Sequence, residues 1–253
     1  MSFKDHFSGH AGTYASFRPG YPPALFDFVS SLAPRRTLVW DCATGNGQAA
    51  VDLAGRFERV IATDASAAQL EHATPHPKVE YRQAPAEASG LAAGSVDLVT
   101  VATAVHWFDF DRFYAEAERV LAPDGAIAVW AYNLARISPE LDLLTDRLGR
   151  EIVRPWWPPE RRWVDEEYRT LPFPFAEVAV PELWIEERWD LGRYLLYLGT
   201  WSALNRYVQD QSSDPRDLIR NDMEKAWGDP ARERTVRWPI MMRAGRPRTA
   251  CAM

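Results

Sequence analysis

The chain has 253 residues, a formal net charge of −6 and two cysteines, and these figures exclude several classes of protein. The acidic balance argues against a dominant nucleic-acid-binding surface, which needs a basic face or stripe. Two cysteines are too few for a disulfide framework. No apolar run is long enough to span a bilayer, and the first residues lack the apolar centre of a secretory signal. We therefore expect a cytoplasmic protein that binds neither membranes nor nucleic acid.

The first half of the chain alternates short apolar runs with segments of helical spacing. Pro22 and Pro23 open the first predicted helix, because proline suits the first helical turn. The predicted strands lie near 38–41, 59–63, 79–82, 97–102 and 126–131, and the predicted helices near 48–57, 66–73 and 111–121. This rhythm predicts an α/β fold with a doubly wound, Rossmann-like sheet that is mostly parallel and covered by helices on both faces. Ligands bind such sheets at the carboxyl ends of the strands.

The most informative segment joins the first strand to the next helix across a turn that contains Gly45 and Gly47. Glycine there permits positive φ and lets a ligand approach the backbone. Asp41 ends the first strand and Asp64 ends the second, about 20 residues beyond the glycines, which is the offset at which a βαβ unit presents a carboxylate to a ribose. The segment therefore predicts a nucleotide pocket at adjacent strand ends.

Two cofactors fit this turn. Gly45, Gly47 and Ala50 satisfy the G-x-G-x-x-A fingerprint of NAD-binding proteins. A pyrophosphate, however, is repelled by a carboxylate beside it, whereas S-adenosylmethionine lacks phosphates and carries an ammonium group that Asp41 can offset. Asp41 therefore favours S-adenosylmethionine, and NAD remains the alternative.

Several further motifs accompany the turn. They are Tyr14-x-x-x-Arg18-Pro19-x-Tyr21-Pro22, Asp41-x-x-Thr44-Gly45-x-Gly47-Gln48, Asp64-Ala65-Ser66, Ala84-x-Ala86-Glu87, Ser95-Val96-Asp97-Leu98-Val99, Ala104-Val105-His106-Trp107-Phe108-Asp109 and Arg119-Val120-Leu121-x-Pro123-x-Gly125. With these motifs the chain resembles the class I S-adenosylmethionine-dependent methyltransferases of the type 11 family, in the branch that contains trans-aconitate methyltransferase. The resemblance spans most of the chain.

The resemblance implies a set of cofactor-binding residues. They are Tyr14, Arg18, Asp41, Ala43, Thr44, Gly45, Gly47, Gln48, Asp64, Ala65, Ala86, Glu87 and Thr103. Asp64 is expected to accept both ribose hydroxyls, since a carboxylate offers two oxygens to a vicinal diol. In the family the N-terminal arm folds over the cofactor, so Arg18 is expected to pair with the methionine carboxylate and Tyr14 to close the pocket.

Two positions depart from the pattern of the family. Pro85 stands where relatives often carry an acid for the adenine amino group, so we expect backbone groups near Ala86 to hold adenine, with Glu87 as a further candidate. Ala43 replaces the first glycine of the common G-x-G-x-G form, and the loop must tolerate its methyl group.

His106 and Trp107 follow the fourth strand at the carboxyl edge of the sheet, where the reacting atoms should meet. His106 is the candidate catalytic residue, with three roles open: a packed histidine, a group that positions substrate, or a general base. Methyl transfer is an in-line displacement at an activated carbon, and an ionised carboxylate needs no proton removed, so positioning is favoured over base catalysis. Trp107 is a candidate wall of the substrate site or a core residue.

After Asn133 the regular alternation of strand and helix patterns stops, and eight of the eleven tryptophans lie beyond residue 150. The segment from Leu191 to Val208 has the spacing of one amphipathic helix, which is either core packing or a lid carrying the substrate residues Tyr197 and Trp201. Strands near 178–186 and 235–242 would complete a seven-stranded sheet, which in the family ends in an antiparallel pair.

The predicted organisation has four parts. Residues 1–35 form an arm and helix over the cofactor, 36–133 the cofactor-binding core, 134–243 the substrate-side helices and last strands, and 244–253 a loose tail. The predicted function is methyl transfer from S-adenosyl-L-methionine to a small molecule by a monomer or homodimer, and the favoured reaction is O-methylation of a carboxylic acid. The alternatives are an NAD-dependent oxidoreductase and a non-catalytic cofactor-binding module. No metal site is predicted, since Pro75 breaks the helix that His72 and His76 would need.

Overall fold

A computed structural model describes residues 18–248 and contains the predicted alternation of strands and helices. The strands are β1 (Leu38–Cys42), β2 (Arg59–Asp64), β3 (Val79–Gln83), β4 (Val96–Ala102), β5 (Leu121–Tyr132), β6 (Ala176–Glu177), β7 (Leu183–Trp189) and β8 (Arg234–Arg246). The helices are α1 (Pro23–Ser31), α2 (Gln48–Ala54), α3 (Ala67–Glu71), α4 (Phe110–Val120), α5 (Pro139–Asp146), α6 (Arg161–Asp165), α7 (Leu191–Leu198), α8 (Ser202–Gln211) and α9 (Asp217–Trp227). None of the helices within residues 18–248 is long and apolar enough to cross a bilayer.

The strands form one eight-stranded sheet in the order β3-β2-β1-β4-β5-β8-β6, with β7 also paired to β8. Strands β1 to β5 are parallel, and β8 runs antiparallel to β5, β6 and β7. The predicted doubly wound, mostly parallel sheet is therefore confirmed. The eighth strand is the two-residue β6 at the edge, which is too short to leave a pattern in the sequence.

Successive side chains of the central strands pack into two hydrophobic layers, one on each face of the sheet. Val39, Val60 and Leu98 point to the layer built with α1 and α2. Their neighbours Trp40, Ile61 and Val99 point to the opposite layer, which α4 covers. This alternation follows from the two-residue period of a strand, and burial on both faces explains why these strands are almost wholly apolar.

A third core is built largely by the helices of residues 134–227. We call this range the helical insertion; it falls between β5 and β8 and also contains the strands β6 and β7. Its helices pack around Tyr194, Leu198, Met223 and Trp227, and Trp238 of β8 belongs to the same cluster. The indole of Trp238 donates a hydrogen bond of 2.8 Å to the hydroxyl of Tyr197. The insertion is thereby anchored to the sheet through β8.

The prediction of one helix from Leu191 to Val208 was wrong, because the chain forms α7 and α8 with a break at residues 199–201. Trp201 leaves the helical region, with φ −70° and ψ 129°, and precedes α8. The indole is buried and packs beside Gly149, where an added Cβ would lie 3.2 Å from the Trp201 ring. Tertiary packing of Trp201 therefore overrides the helical spacing of the segment.

The prediction of a loose tail from Ala244 onward was wrong for residues 244–246. Ala244 is 1% exposed and pairs with Ala128 of β5, and β8 continues to Arg246. Short side chains at Ala244 and Gly245 gave the segment its low apolar content, but they also fit it tightly: an added Cβ at Gly245 would lie 2.8 Å from the carbonyl oxygen of Ala176. Residues 249–253 lie outside the described part of the chain.

Gly47 takes a left-handed conformation, with φ +84°, at the start of α2. An added Cβ would lie 2.1 Å from the hydroxyl oxygen of Tyr81, which itself donates to the carbonyl oxygen of Thr74. The ring of Tyr81 on β3 thus occupies the space that a side chain at position 47 would need. Glycine is required there by the packing of Tyr81 as well as by the backbone.

Gly47→Ala should therefore lower the free energy of unfolding by more than the left-handed backbone strain alone, because the methyl group also clashes with Tyr81. Left-handed backbone costs an alanine about 1–2 kcal/mol and overpacking about 1–3 kcal/mol, so the combined loss should be about 2–5 kcal/mol in urea unfolding. Gly90→Ala is the matched control, since Gly90 has φ +71° and no atom within 4 Å of an added Cβ. Equal losses for the two variants would contradict the role of Tyr81.

Candidate functional site

Asp41 is a buried carboxyl group at the carboxyl end of β1. It is 1% exposed, and its two oxygens accept hydrogen bonds of 2.6 Å from the Thr44 hydroxyl and 2.7 Å from the Thr100 hydroxyl. Burial raises the pKa of Asp41 to about 6, because the two hydroxyls only partly replace water. Thr44 belongs to the glycine turn and Thr100 to β4, so Asp41 connects the turn to two adjacent strands.

Asp64 holds the same turn from the end of β2. One carboxylate oxygen accepts a hydrogen bond of 2.8 Å from the backbone N–H of Gly45, and the other accepts one of 2.8 Å from Ser66 N–H. Ser66, rather than Asp64, caps α3 by accepting from Gln69 N–H. The Asp64 carboxylate is thus a charged acceptor beside the turn, the type of group with which a ribose hydroxyl pairs.

The turn itself leaves room at Gly45. Gly45 has φ +58°, and an added Cβ would meet nothing closer than the amide oxygen of Gln69 at 3.9 Å. Ala43 also has positive φ, at 54°, so the loop does tolerate its methyl group. The N–H of Gly45 donates to Asp64 and that of Gly47 to the Thr44 carbonyl oxygen. These donors are satisfied within the chain, which disfavours the pyrophosphate of NAD.

The residues expected around adenine lie beyond β3. Ala86 is buried, and the half-buried carboxylate of Glu87 accepts a long hydrogen bond of 3.4 Å from Asp109 N–H. Burial first, and then the charges of Asp41, Asp64 and Glu87, raise the pKa of the Cys42 thiol well above its usual value. The three acids therefore lie close together at the carboxyl edge of the sheet, near Cys42. The Cys42 thiol stays protonated and packed in the core.

A pocket adjoins this edge, between the ends of β4 and β5 and the helical insertion. Its polar lining comes from Arg18, Thr103, His106, Tyr132, Asn133 and Arg161. Aromatic side chains from both the sheet and the insertion form its walls, namely Trp107, Trp157, Tyr197 and Trp201. Thr103 follows β4 with φ +57°, and its N–H donates to the Trp130 carbonyl oxygen at 2.7 Å. The pocket thus opens beside the strand ends that carry the two acids.

Arg161 is the charged group best placed in this pocket. The side chain is 17% exposed; Nε donates to Asp165 at 3.0 Å, and one terminal nitrogen donates to the Asn133 side-chain oxygen at 2.8 Å. Its guanidinium stacks 4.5 Å from the centre of the Trp157 ring. Within residues 18–248 the other terminal nitrogen, Nη1, donates to no partner. Burial lowers the pKa of Arg161, but the guanidinium stays charged at neutral pH.

His106 lies in a short 3₁₀ turn, Val105–Trp107, and lines the same pocket. It is 7% exposed, and its Nδ1 lies 2.7 Å from the Tyr168 hydroxyl. Burial, and secondarily the charge of Arg161, lower the pKa of His106 to about 3. The imidazole is therefore neutral at physiological pH and a weak base.

The other sequence-predicted residues divide between the two regions. Arg18 donates a hydrogen bond of 2.9 Å to the Tyr132 hydroxyl and lies on the substrate side, and its pairing with a methionine carboxylate stays a prediction. Gln48 is exposed and reaches the Pro19 carbonyl oxygen at 3.4 Å, while Ala65 accepts from the Gln83 amide at 3.0 Å. Tyr14 lies outside the described residues.

Among the polar residues that line the pocket, Tyr132, Asn133 and Arg161 escaped the sequence analysis, and so did Tyr168, which contacts His106 from behind. Asn133 is buried, and its amide donates to the Val164 carbonyl oxygen at 3.1 Å. These contacts join the end of β5 to α6 across about 30 residues, a separation that no local pattern reports. The only available signal was the position of Tyr132 and Asn133 directly after a buried strand, where ligands bind.

The doubly wound sheet, the acids at two adjacent strand ends and the adjoining pocket define an α/β enzyme that uses a nucleoside cofactor. Comparison with known proteins narrows this class. The family model described as a methyltransferase domain matches residues 40–129. A Dictyostelium discoideum protein named as a methyltransferase is 32% identical over 229 residues, which cover 89% of this chain and 87% of the relative.

Two further relatives agree. A Mycobacterium tuberculosis protein named as an uncharacterized methyltransferase is 33% identical over 174 residues, which cover 68% of this chain and 66% of the relative. A solved structure of a protein from Anaeromyxobacter dehalogenans, described as a type II methyltransferase, shares 48% identity and covers 92% of this chain and 100% of its own, with a TM-score of 0.87. The chain belongs to the class I S-adenosylmethionine-dependent methyltransferases.

The cofactor is therefore S-adenosyl-L-methionine, which supplies an electrophilic methyl group when bound. The open space at Gly45 fits its aminoacyl part, and Asp64 beside the turn is the candidate ribose ligand. Asp41 would lie under the ammonium end. Within residues 18–248 no group of three or more His, Cys, Asp or Glu side chains could hold a metal ion.

The raised pKa of Asp41 predicts that ionisation of this carboxyl group lowers the free energy of unfolding as pH rises. Because the folded pKa of about 6 exceeds the ordinary 3.8, this carboxyl group stabilises the fold fully below pH 3.8 and loses that contribution as pH rises through 6. Asp41→Asn should thus raise the free energy of unfolding at pH 8 by about 1–3 kcal/mol and by little at pH 4. Asp222→Asn, an exposed control, should show no such trend, and a pH-independent gain for Asp41→Asn would contradict burial as the cause.

Asp64→Ala should weaken S-adenosylmethionine binding about 10- to 100-fold, since it removes charged hydrogen bonds worth about 1.5–3 kcal/mol. Isothermal calorimetry measures the affinity, and urea unfolding checks the turn that Asp64 also holds. Gln83→Ala is the control, because Gln83 lies at the end of the next strand and its uncharged side chain donates to the Ala65 carbonyl oxygen. Unchanged affinity in Asp64→Ala would refute the ribose assignment.

Proposed function

We propose that the protein transfers the methyl group of S-adenosylmethionine to a small-molecule carboxylic acid and forms its methyl ester. The observation that carries this proposal is the balance of donors and acceptors in the pocket. Arg161 offers Nη1, and the neutral ring of His106 lines the same space. The side-chain oxygen of Asn133 is already occupied by Arg161 and by Leu134 N–H.

A pocket of this kind suits a ligand rich in acceptor oxygens. The amide N–H group of Asn133 also donates to the Val164 carbonyl oxygen, so the hydrogen-bonding groups of this side chain are largely used within the protein. Nη1 of Arg161, whose N–H groups have no partner within residues 18–248, can donate a charge-assisted hydrogen bond to a carboxylate oxygen. An amine would meet a buried positive charge, which disfavours it, and the resemblance to the trans-aconitate methyltransferase branch also points to an acid.

The chemistry needs no base. A carboxylate oxygen attacks the methyl carbon, the carbon–sulfur bond breaks, and S-adenosylhomocysteine leaves with the electron pair, so that no proton is released. A neutral His106 with its pKa lowered to about 3 cannot serve as a base at physiological pH and is not required to. Positioning and exclusion of water then supply most of the rate.

The charge of Arg161 should act on binding more than on the chemical step. The acid is negative when it binds, and the reacting carboxylate loses its charge as the ester forms. An attractive cation is therefore worth as much in the ground state as in the transition state, or more. Removal of Arg161 should appear in KM and leave kcat nearly unchanged.

Arg161→Gln should raise KM for a carboxylic acid acceptor about 10- to 100-fold, the effect of losing a charge-assisted hydrogen bond worth about 1.5–3 kcal/mol. Arg161→Lys should fall between this variant and wild type, since lysine keeps the charge but cannot contact Asp165, Asn133 and the acceptor from three fixed nitrogens. Arg162→Gln is the matched control, because Arg162 is the exposed neighbour that lies over Trp163. Steady-state kinetics measure both constants, and calorimetry checks that cofactor affinity is unchanged.

The acceptor itself is found with a panel of carboxylic acids, phenols and amines, followed by mass spectrometry of the methylated product. Turnover of acids with the expected KM change in Arg161→Gln supports the proposal. Turnover of phenols or amines alone, or an Arg161→Gln variant that binds the acid normally, overturns it.

A further inference from the structure

The hydroxyl of Tyr168 is the direct hydrogen-bond partner of the imidazole that lines the pocket. Its oxygen lies 2.7 Å from Nδ1 of His106. Tyr168 is fully buried, and burial raises the pKa of its phenol well above the ordinary value, so the phenol keeps its proton. The pair joins the segment after α6 to the turn after β4, across 62 residues.

The phenol proton decides which nitrogen of His106 carries hydrogen. Within residues 18–248 Nδ1 is the single hydrogen-bond partner of the Tyr168 hydroxyl. If Nδ1 were protonated, it would donate to the phenol oxygen and leave the phenol proton buried without an acceptor, which costs about 1–3 kcal/mol. The arrangement without this cost has Tyr168 donating to Nδ1, and then the proton of the neutral ring resides on Nε2.

The backbone is strained at Tyr168 itself and at the residue before it. Glu167 and Tyr168 both have positive φ, at 55° and 59°, a rare conformation for residues with large side chains. Tyr168 N–H donates to the Trp163 carbonyl oxygen at 2.8 Å, which closes the turn, and the ring packs in the same core cluster as Phe113 and Val164. Strain of this kind is characteristic of functional sites.

We propose that Tyr168 is a positioning residue: its hydroxyl donates to Nδ1 of His106 and so presents the Nε2 proton of the ring to the methyl acceptor in the pocket. Nε2 donates to no residue between 18 and 248, and His106 lines the pocket. The ring is then a neutral donor beside the charged donor Arg161.

This inference rests on the proposed function, because it fixes what the acceptor must provide. An Nε2–H can orient an ionised oxygen but cannot remove a proton from a phenol or an amine. The His106–Tyr168 pair therefore selects acceptors that reach the pocket already ionised. His106 touches the acceptor, and Tyr168 acts through it.

Long-range proton–nitrogen correlation spectra of the ¹⁵N-labelled protein test the tautomer without an acceptor. His106→Gln assigns the signals among the five histidines of the chain. We expect Nδ1 to be unprotonated and Nε2 protonated in wild type, and the Nδ1 signal to move to its unbonded position in Tyr168→Phe. A protonated Nδ1 in wild type overturns the proposal.

Kinetics test the consequence for catalysis. Tyr168→Phe should lower kcat/KM about 3- to 10-fold, the range of one neutral hydrogen bond, and leave cofactor affinity unchanged. Tyr114→Phe is the matched control, because the buried Tyr114 hydroxyl has no hydrogen-bond partner within residues 18–248 and belongs to the same core cluster. It should stay within about 2-fold of wild type.

A double-mutant cycle separates positioning from simple stability. His106→Gln keeps a donor in reach and should lose about 10-fold or less, since no base is removed. In that background Tyr168→Phe should have no further effect, because its hydroxyl acts only through the imidazole. Independent, multiplicative losses would overturn the positioning role. The spectra need no acceptor, so an acceptor panel that rejects carboxylic acids would refute the proposed function while the tautomer assignment stood on its own result.

Discussion

The burial of two carboxyl groups at adjacent strand ends is the constraint on which the rest of the site depends. Asp41 is satisfied by threonine hydroxyls, and Asp64 by backbone N–H groups of the turn and of the next helix. The turn therefore needs no anion to neutralise its donors, in contrast to loops that cradle phosphates. What remains at this edge is an excess of negative charge, which suits a cofactor with an ammonium group and a sulfonium.

The pocket beside it has the opposite polarity. Arg161 keeps its charge among aromatic rings, and Tyr168 fixes the neighbouring imidazole. The acidic edge and the basic pocket meet near Thr103, whose strained backbone lines the pocket directly after β4. The cationic cofactor would thus bind beside the acidic residues, and an anionic acceptor would bind beside Arg161. Their opposite charges are neutralised when the methyl group is transferred. The acidic edge is built from the ends of β1 and β2, whereas the pocket combines the ends of β4 and β5 with the helical insertion.

Local patterns sufficed for the parallel sheet and the cofactor turn, because strand periodicity and glycine placement are properties of neighbouring residues. They failed where distant packing decides the outcome. Trp201 interrupts a helical spacing because its indole fits beside Gly149, and position 47 needs glycine partly because Tyr81 fills its space. No local pattern marks Arg161 in the sequence, and its place in the pocket follows from distant contacts such as that with Asn133. The fold was therefore predictable from the core. Of the pocket, the sequence predicted several aromatic residues and His106 but not the polar residues Asn133 and Arg161.

The antiparallel pairing of β8 with β5 has a consequence for how the chain folds during synthesis. About 100 residues separate the end of β5 from the start of β8. At the usual pace of translation, β5 is a free edge of the nascent sheet for roughly 5–20 s. The edge carries Ile127, Val129 and Trp130, side chains that would favour pairing with another chain. Early docking of the insertion, or a chaperone that covers this strand, would protect the nascent protein from aggregation until β8 is made.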